Sequence, residues 1–200
     1  MFTGIIQSLG KVISLESGGT NKTFWIESEI SPELKIDESI SHNGVCLTIE
    51  EIRNTAHRVT AIEETLHKTN LSTILPGDFI NLERSMLMNG RIDGHIVQGH
   101  VDCVADCTRK KEKNGSWEYT FEFDKKFAAL IIEKGSICVN GVSLTVFKVR
   151  KKKFTVAIIP YTFKHTNFFT IQKKSKVNIE FDIFGKYIQR KYLLALSKNV

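Results

Sequence analysis

The sequence predicts an all-β protein built from two similar halves and followed by a C-terminal helix, on three observations. The first is an internal repeat. Ser39-Ile40-Ser41-His42-Asn43-Gly44-Val45-Cys46-Leu47-Thr48 and Ser136-Ile137-Cys138-Val139-Asn140-Gly141-Val142-Ser143-Leu144-Thr145 agree at seven of ten positions with a shift of 97. The same shift places Val59, Ile62, Thr65, Thr69 and Asn70 on Val156, Ile159, Thr162, Thr166 and Asn167, and Asn81 and Glu83 on Asn178 and Glu180. A unit of this length exceeds the roughly 20 to 50 residues of a solenoid repeat and suits a small domain. The second observation is strand patterning: residues 45–49, 58–62 and 79–83, and again 142–149, 154–159 and 177–181, are short β-branched or alternating runs bounded by turn residues. Such spacing favours a small barrel or sandwich in each half. The third is the tail from Phe184, where Tyr187, Ile188, Tyr192, Ala195 and Leu196 recur at helical spacing among Lys186, Gln189, Arg190 and Lys198.

The connections follow from the residue types. Asn43-Gly44 and Asn140-Gly141 each precede a strand and suit positive φ, which makes them tight turns. Lys151-Lys152-Lys153 falls where a hairpin turn belongs. The tail helix has no counterpart at the end of the first half, so its apolar stripe either packs on its own barrel or joins copies of the chain.

Composition bounds the function. Two hundred residues with 42% hydrophobic and 25% charged side chains describe a globular chain, and no apolar run approaches the roughly 20 residues of a membrane helix. The start, Met1-Phe2-Thr3-Gly4-Ile5-Ile6, carries no basic leader, so a soluble cytoplasmic protein with its four cysteines as thiols is expected. The net charge of +6 alone does not imply nucleic-acid binding, and the basic stretches 150–153 and 173–174 lack the interleaved aromatics of a stacking platform. His95, His100, Cys103 and Cys107 invite a zinc site, but a strand through them sends residues an odd number apart to opposite faces and separates the two cysteines by about 13 Å. No metal is expected. Cys46 reads either as a buried small hydrophobe or, with its repeat mate Ser143, as a polar position where each half meets a ligand. Thr48 and Thr145 are equally open to β propensity alone.

Four separated motifs, Met1 to Ile6, Asn43 to Thr48, Gly94-His95-Ile96-Val97-Gln98-Gly99-His100-Val101-Asp102 and Asn140 to Thr145, resemble the α-chain type of riboflavin synthase, and the resemblance spans the chain. It implies two homologous six-stranded Greek-key barrels with a C-terminal α-helix, divided as residues 1–96, 97–183 and 184–200, the last holding a homotrimer together. It implies a transferase that converts two molecules of 6,7-dimethyl-8-ribityllumazine into riboflavin and 5-amino-6-ribitylaminouracil, with no cofactor. Lumazine synthase is a further partner under this reading, while nucleic acid and membrane are not.

Carried over position by position, the resemblance implies ligand contacts in the first half at Gly4, Ile5, Ile6, Cys46, Leu47, Thr48, Thr60, Ala61, Ile62, Glu63, Glu64 and Thr65. In the second half it implies Gly99, His100, Val101, Lys134, Ser143, Leu144, Thr145, Ala157, Ile158, Ile159, Pro160, Tyr161 and Thr162. His100, Cys46 and Ser39 fall on positions tied to catalysis. One lumazine must lose a proton from its 7-methyl group while the other accepts a nucleophile at C7, which calls for an acid-base group such as His100 and polar contacts from Cys46, Ser39 and Thr48. The halves differ where Glu64 faces Tyr161, which removes a carboxylate from the second pocket. Two rivals stand beside this reading: a related antenna protein that binds one chromophore without turnover, and a basic nucleic-acid-binding barrel.

Overall fold

The structure, a computed structural model, describes residues 1–197; Lys198, which the sequence pattern puts on the tail helix, lies outside the described residues. The first half holds strands β1 (Ser8–Gly18), β2 (Asn21–Glu27), β3 (Ser39–His42), β4 (Val45–Thr48), β5 (Glu51–Arg53), β6 (Ala56–Ala61) and β7 (Phe79–Arg84), with helix α1 (Glu63–Lys68) between β6 and β7. The second holds β8 (Cys103–Lys113), β9 (Ser116–Glu122), β10 (Ser136–Val139), β11 (Val142–Arg150), β12 (Lys153–Ile158) and β13 (Lys176–Phe181), with α2 (Pro160–His165) in the corresponding place and α3 (Ile183–Ser197) after β13.

In the second half the strands close into a barrel in the order β10-β11-β12-β9-β8-β13. Consecutive β10, β11 and β12 lie side by side and β9 returns beside β12, which is a Greek key. The first half repeats this order as β4-β3-β7-β1-β2-β6-β5. Six strands are expected there and seven are found, because the counterpart of β11 is interrupted at Ile49 and Glu50. Its first part pairs with β3 and its second with β6, so the hydrogen-bonded sheet is open where the second half is closed. Ile49 turns fully into the core at this break.

Each half encloses its own apolar interior. Val12, Phe24, Ile40, Val59, Ile80 and Leu82 are fully buried or nearly so in the first, and Tyr119, Phe121, Val146, Phe154, Val156 and Ile179 in the second. The tight turns form as the sequence predicts. Asn43 (φ 49°) with Gly44 (φ 80°), and Asn140 (φ 46°) with Gly141 (φ 83°), make the two-residue links β3–β4 and β10–β11 with both central residues left-handed.

The same asparagines lock the halves together. The side-chain amide of Asn81 donates to the Asn140 carbonyl (2.8 Å), and that of Asn178 to the Asn43 carbonyl (2.9 Å). After each short helix a further asparagine crosses over: Asn70 N–H donates to Asn178 Oδ1 (2.6 Å) and Asn167 N–H to Asn81 Oδ1 (2.7 Å).

Lysines anchor the turns that carry those crossing asparagines, from different strands in the two halves. Lys22 Nζ on β2 donates to the carbonyls of Ser72 and Ile74, while Lys110 Nζ on β8 donates to those of Phe169 and Ile171. In register, Lys22 corresponds to Trp117 and Lys110 to Leu15, so charge and apolar bulk have exchanged positions. The tail helix α3 leaves no residue buried, and Phe184, Tyr187, Ile188 and Tyr192 are all more than half exposed. Among the described residues no helix is long and apolar enough to cross a membrane.

Among the described residues only the first half buries a histidine pair. His42 Nε2 and His57 Nε2 lie 2.9 Å apart, and His57 Nδ1 meets Ser31 Oγ at 2.8 Å; their repeat mates are Val139 and Phe154. Burial, and then the facing His57 ring, hold His42 well below its usual range, and burial brings His57 to about 4. A histidine depressed in the folded state takes up its proton more readily when unfolded. Its contribution to stability is therefore complete above the unfolded value of about 6.5 and is lost as the pH falls toward the folded one. Denaturant titrations should show stability falling between about pH 6.5 and pH 4, and the doubly substituted His42→Val, His57→Phe protein should lose most of that slope; an unchanged slope would place the acid sensitivity elsewhere.

Candidate functional site

The site strands meet two short segments that are themselves repeats. Under a shift of 95, Met1-Phe2-Thr3-Gly4-Ile5-Ile6 corresponds to Ile96-Val97-Gln98-Gly99-His100-Val101, so the mate of His100 is Ile5. Phe2 and Val97 exchange both backbone hydrogen bonds, at 2.7 and 3.0 Å, and both side chains are fully buried.

A buried carboxylate holds each segment. Glu83 accepts from Thr3 N–H (2.7 Å), the Thr3 hydroxyl (2.8 Å) and Gly4 N–H (3.0 Å); Glu180 accepts from the N–H groups of Gln98, Gly99 and His100 at 2.7 to 3.0 Å. Burial pushes both carboxyls up, and the converging N–H groups act against that shift.

Each segment then lies on the opposite half. The Gly4 carbonyl accepts from Ser143 N–H (2.8 Å), and the Gly99 carbonyl from Cys46 N–H (2.9 Å). Glycine is required at both places. Gly4 (φ 78°) and Gly99 (φ 82°) are left-handed, and a Cβ on either would come within 2.6 Å of the Cβ of Ser143 or Cys46. The structure thus sets the segment of Gly4, Ile5 and Ile6 beside Ser143, and that of Gly99, His100 and Val101 beside Cys46. The cores agree, since Ile6 packs on the second interior and Val101 on the first.

A cavity of about 280 Å³ opens where the second of these segments meets α1, lined among others by Cys46, Glu64, Thr65, Lys68, His100 and Val101. Alternation along β4 turns Leu47 into the core and leaves Cys46 and Thr48 on the outer side. Ala61 is buried, and Thr60 is tied to Thr23 Oγ1 at 2.8 Å, while Ile62, Glu63 and Glu64 are exposed at the start of α1. Glu64 pairs with Lys68 one helical turn on, and that bond holds its carboxyl below the usual range.

In the second half the mates of this pair are Tyr161 and His165, whose rings stack at 4.1 Å while His165 Nδ1–H donates to the Tyr161 carbonyl (2.8 Å). Ile158 is buried, Ala157, Ile159 and Pro160 are exposed, and Thr162 is half-buried on α2. Ser143 and Leu144 are half-buried and Thr145 exposed on β11. Ser39 lies opposite Thr48 in the β3–β4 pair, and Lys134 stands on an exposed turn before β10; neither lines the cavity beside Cys46.

His95 and His100 occupy different surroundings. His100 lines the cavity beside Cys46, whereas His95 Nδ1 lies 2.7 Å from Ser143 Oγ with its ring buried. No strand runs through them as expected, because β8 begins at Cys103. Among the described residues no three histidine, cysteine, aspartate or glutamate side chains gather as a metal-ligating group. The sequence reading passes over Glu83, Glu180, Phe2 and Lys68. Glu83 and Glu180 were visible as matched positions of the repeat, but nothing in the sequence marked them as buried anchors.

Residues 3–85 and 98–182 each match the Lumazine binding domain family. The chain is 39% identical to the riboflavin synthase of Bacillus subtilis, over 95% of this chain and 89% of that one, and 35% identical to that of Saccharomyces cerevisiae, over 100% and 90%. Its fold resembles the solved structure of LumP complexed with riboflavin, with a TM-score of 0.85 at 21% identity over 90% of this chain and 99% of the other. LumP has also been solved with 6,7-dimethyl-8-(1'-D-ribityl) lumazine, at a TM-score of 0.82 and 20% identity over 90% of this chain and 98% of that one. With both domains matched in tandem and full-length relatives above one-third identity, the chain belongs to the riboflavin synthase family of lumazine-binding proteins.

Proposed function

We propose that the protein converts two molecules of 6,7-dimethyl-8-ribityllumazine into riboflavin and 5-amino-6-ribitylaminouracil by moving a four-carbon unit. The observation that carries this is the pair of equivalent crossed sites, Cys46 with Gly99 and Ser143 with Gly4, in a chain whose relatives are riboflavin synthases. Two like crossed positions suit a reaction between two like molecules. The atoms of two lumazines equal those of the two products, so no oxidant or other co-reactant is consumed.

His100, lining the cavity beside Cys46, carries the proton taken from the 7-methyl group of one lumazine. Cys46 supplies a polar contact in the first site, and Ser143 with Thr145 in the second; Ser39 stands off the cavity wall on β3. Holding both molecules together removes about 7 to 11 kcal/mol of a bimolecular barrier. Glu64 grips a ribityl hydroxyl in the first site, and the stacked Tyr161 and His165 form the corresponding wall of the second.

The domains divide at 96/97 and 183/184, and the protein assembles in the cytoplasm as a homotrimer through α3. Support for the assembly comes from the uncovered apolar stripe of that helix and from charge. Residues 1–96 hold 8 basic and 13 acidic side chains, and residues 97–200 hold 20 basic and 9 acidic, so opposite halves of neighbouring copies attract.

Purified protein incubated with 6,7-dimethyl-8-ribityllumazine alone should yield riboflavin and the pyrimidine product in equal amounts. Tight binding without turnover would make it an antenna-type protein instead. His100→Ala should lower kcat by about 10² to 10⁴ with a smaller change in lumazine binding; weakened binding at unchanged kcat would assign His100 to holding the ligand. A chain ending at Phe184 should sediment as a monomer, and a surviving trimer would reject the role of α3; the same run with lumazine synthase added tests that second partner.

A further inference from the structure

From the ring's hydrogen bonds we infer that His95 is a positioning residue that orients the Ser143 hydroxyl as a donor into the second site, giving that site a polarised O–H where the first has the thiol of Cys46. This rests on the reading that one lumazine is seated at each site.

His95 is held at its backbone and at its ring. The backbone N–H donates to the Thr3 carbonyl (3.1 Å), Nδ1 meets Ser143 Oγ (2.7 Å), and the residue is only 8% exposed. The preceding Gly94 leaves no room for adjustment, since a Cβ there would lie 2.1 Å from the Thr3 carbonyl oxygen and 2.7 Å from the Ser143 Cβ. Nε2 is buried without a partner; Asp182 acts on the ring through its field only and does not bond to it.

That arrangement selects a tautomer. Burial keeps the ring neutral, so one nitrogen carries the proton. A proton on Nε2 would bury an unpaired N–H, the more costly kind of orphan, whereas a proton on Nδ1 leaves only an unused lone pair. Nδ1–H therefore donates to Ser143 Oγ. With its oxygen already accepting, the hydroxyl is free to turn its own hydrogen to a ligand, and the bond it accepts polarises that O–H as a donor.

Nitrogen-resolved NMR of the ligand-free protein should find the His95 proton on Nδ1; a proton on Nε2 would overturn the inference whatever the enzyme does. In steady-state assays His95→Leu and Ser143→Ala should each lower kcat about a hundredfold with little change in KM, and the double variant should be no slower than Ser143→Ala alone. His95→Asn, whose amide nitrogen overlays Nδ1, should restore most of the loss, while His95→Gln, which overlays Nε2, should not. Additive losses, or equal rescue by both amides, would make His95 a packing residue. Wild-type protein that binds lumazine yet forms no riboflavin would instead refute the function on which the assay depends, leaving the tautomer to the NMR result.

Discussion

Everything at the sites depends on six buried asparagines that fasten one half of the chain to the other. Asn43, Asn70 and Asn81 from the first half interlock with Asn140, Asn167 and Asn178 from the second, and the bonds between side chain and backbone recur in pairs across the interface, whereas the Asn81 Nδ2 bond to Asn167 Oδ1 (2.9 Å) has no mate and Asn70 Oδ1 stays unpaired. Amide side chains suit this place because each offers both donors and acceptors, so the open backbone groups of one turn are satisfied by the side chains of the other. A buried network of this kind is strong when complete and costly when broken, which makes the relative placement of the halves a fixed quantity. Gly44 and Gly141 extend the contact, since a Cβ on either would lie within 3.0 Å of the other's backbone nitrogen.

Fixed placement is what allows each half to complete the other's site. The segment held by Glu180 delivers His100 to Cys46 of the first half, and the segment held by Glu83 delivers Ile5 and Ile6 to Ser143 of the second. The cavity beside Cys46 takes its walls from both halves. The duplicated scaffold has also diverged at its working positions: His100 stands against Ile5, Cys46 against Ser143, and the Glu64–Lys68 ion pair against the Tyr161–His165 stack. The two crossed positions are thus chemically unlike.

Much of this was legible in the residues. The repeat register, the Asn-Gly turns, most strand cores and the tail helix follow from spacing and residue type, because those signals are local. The interruption of the first half's fourth strand was not, since Ile49 and Glu50 continue an apolar and polar alternation and only the closure geometry of the barrel turns the chain there. The crossed grouping of site residues was hidden for a related reason. A shift of 97 aligns the halves from β3 onward, but a shift of 95 aligns the leading segments and the first two strands of each half, and nothing in the leading stretches says which barrel they lie against. The asparagines were visible as matched letters, while their bonds join residues as many as 135 positions apart.

The exchanged lysines carry a lesson about how duplicated halves drift. Lys22 and Lys110 perform one task from two addresses, each lying where the other half has an apolar residue. A comparison of the halves letter by letter would score both positions as losses, though the carbonyls are capped in each. The intermediate between such arrangements has either two ammonium groups competing for one pair of oxygens or none, so the two changes are coupled and neither is neutral by itself. One duty met from two addresses shows that the crossover turns need an ammonium at their carbonyls, whichever strand supplies it.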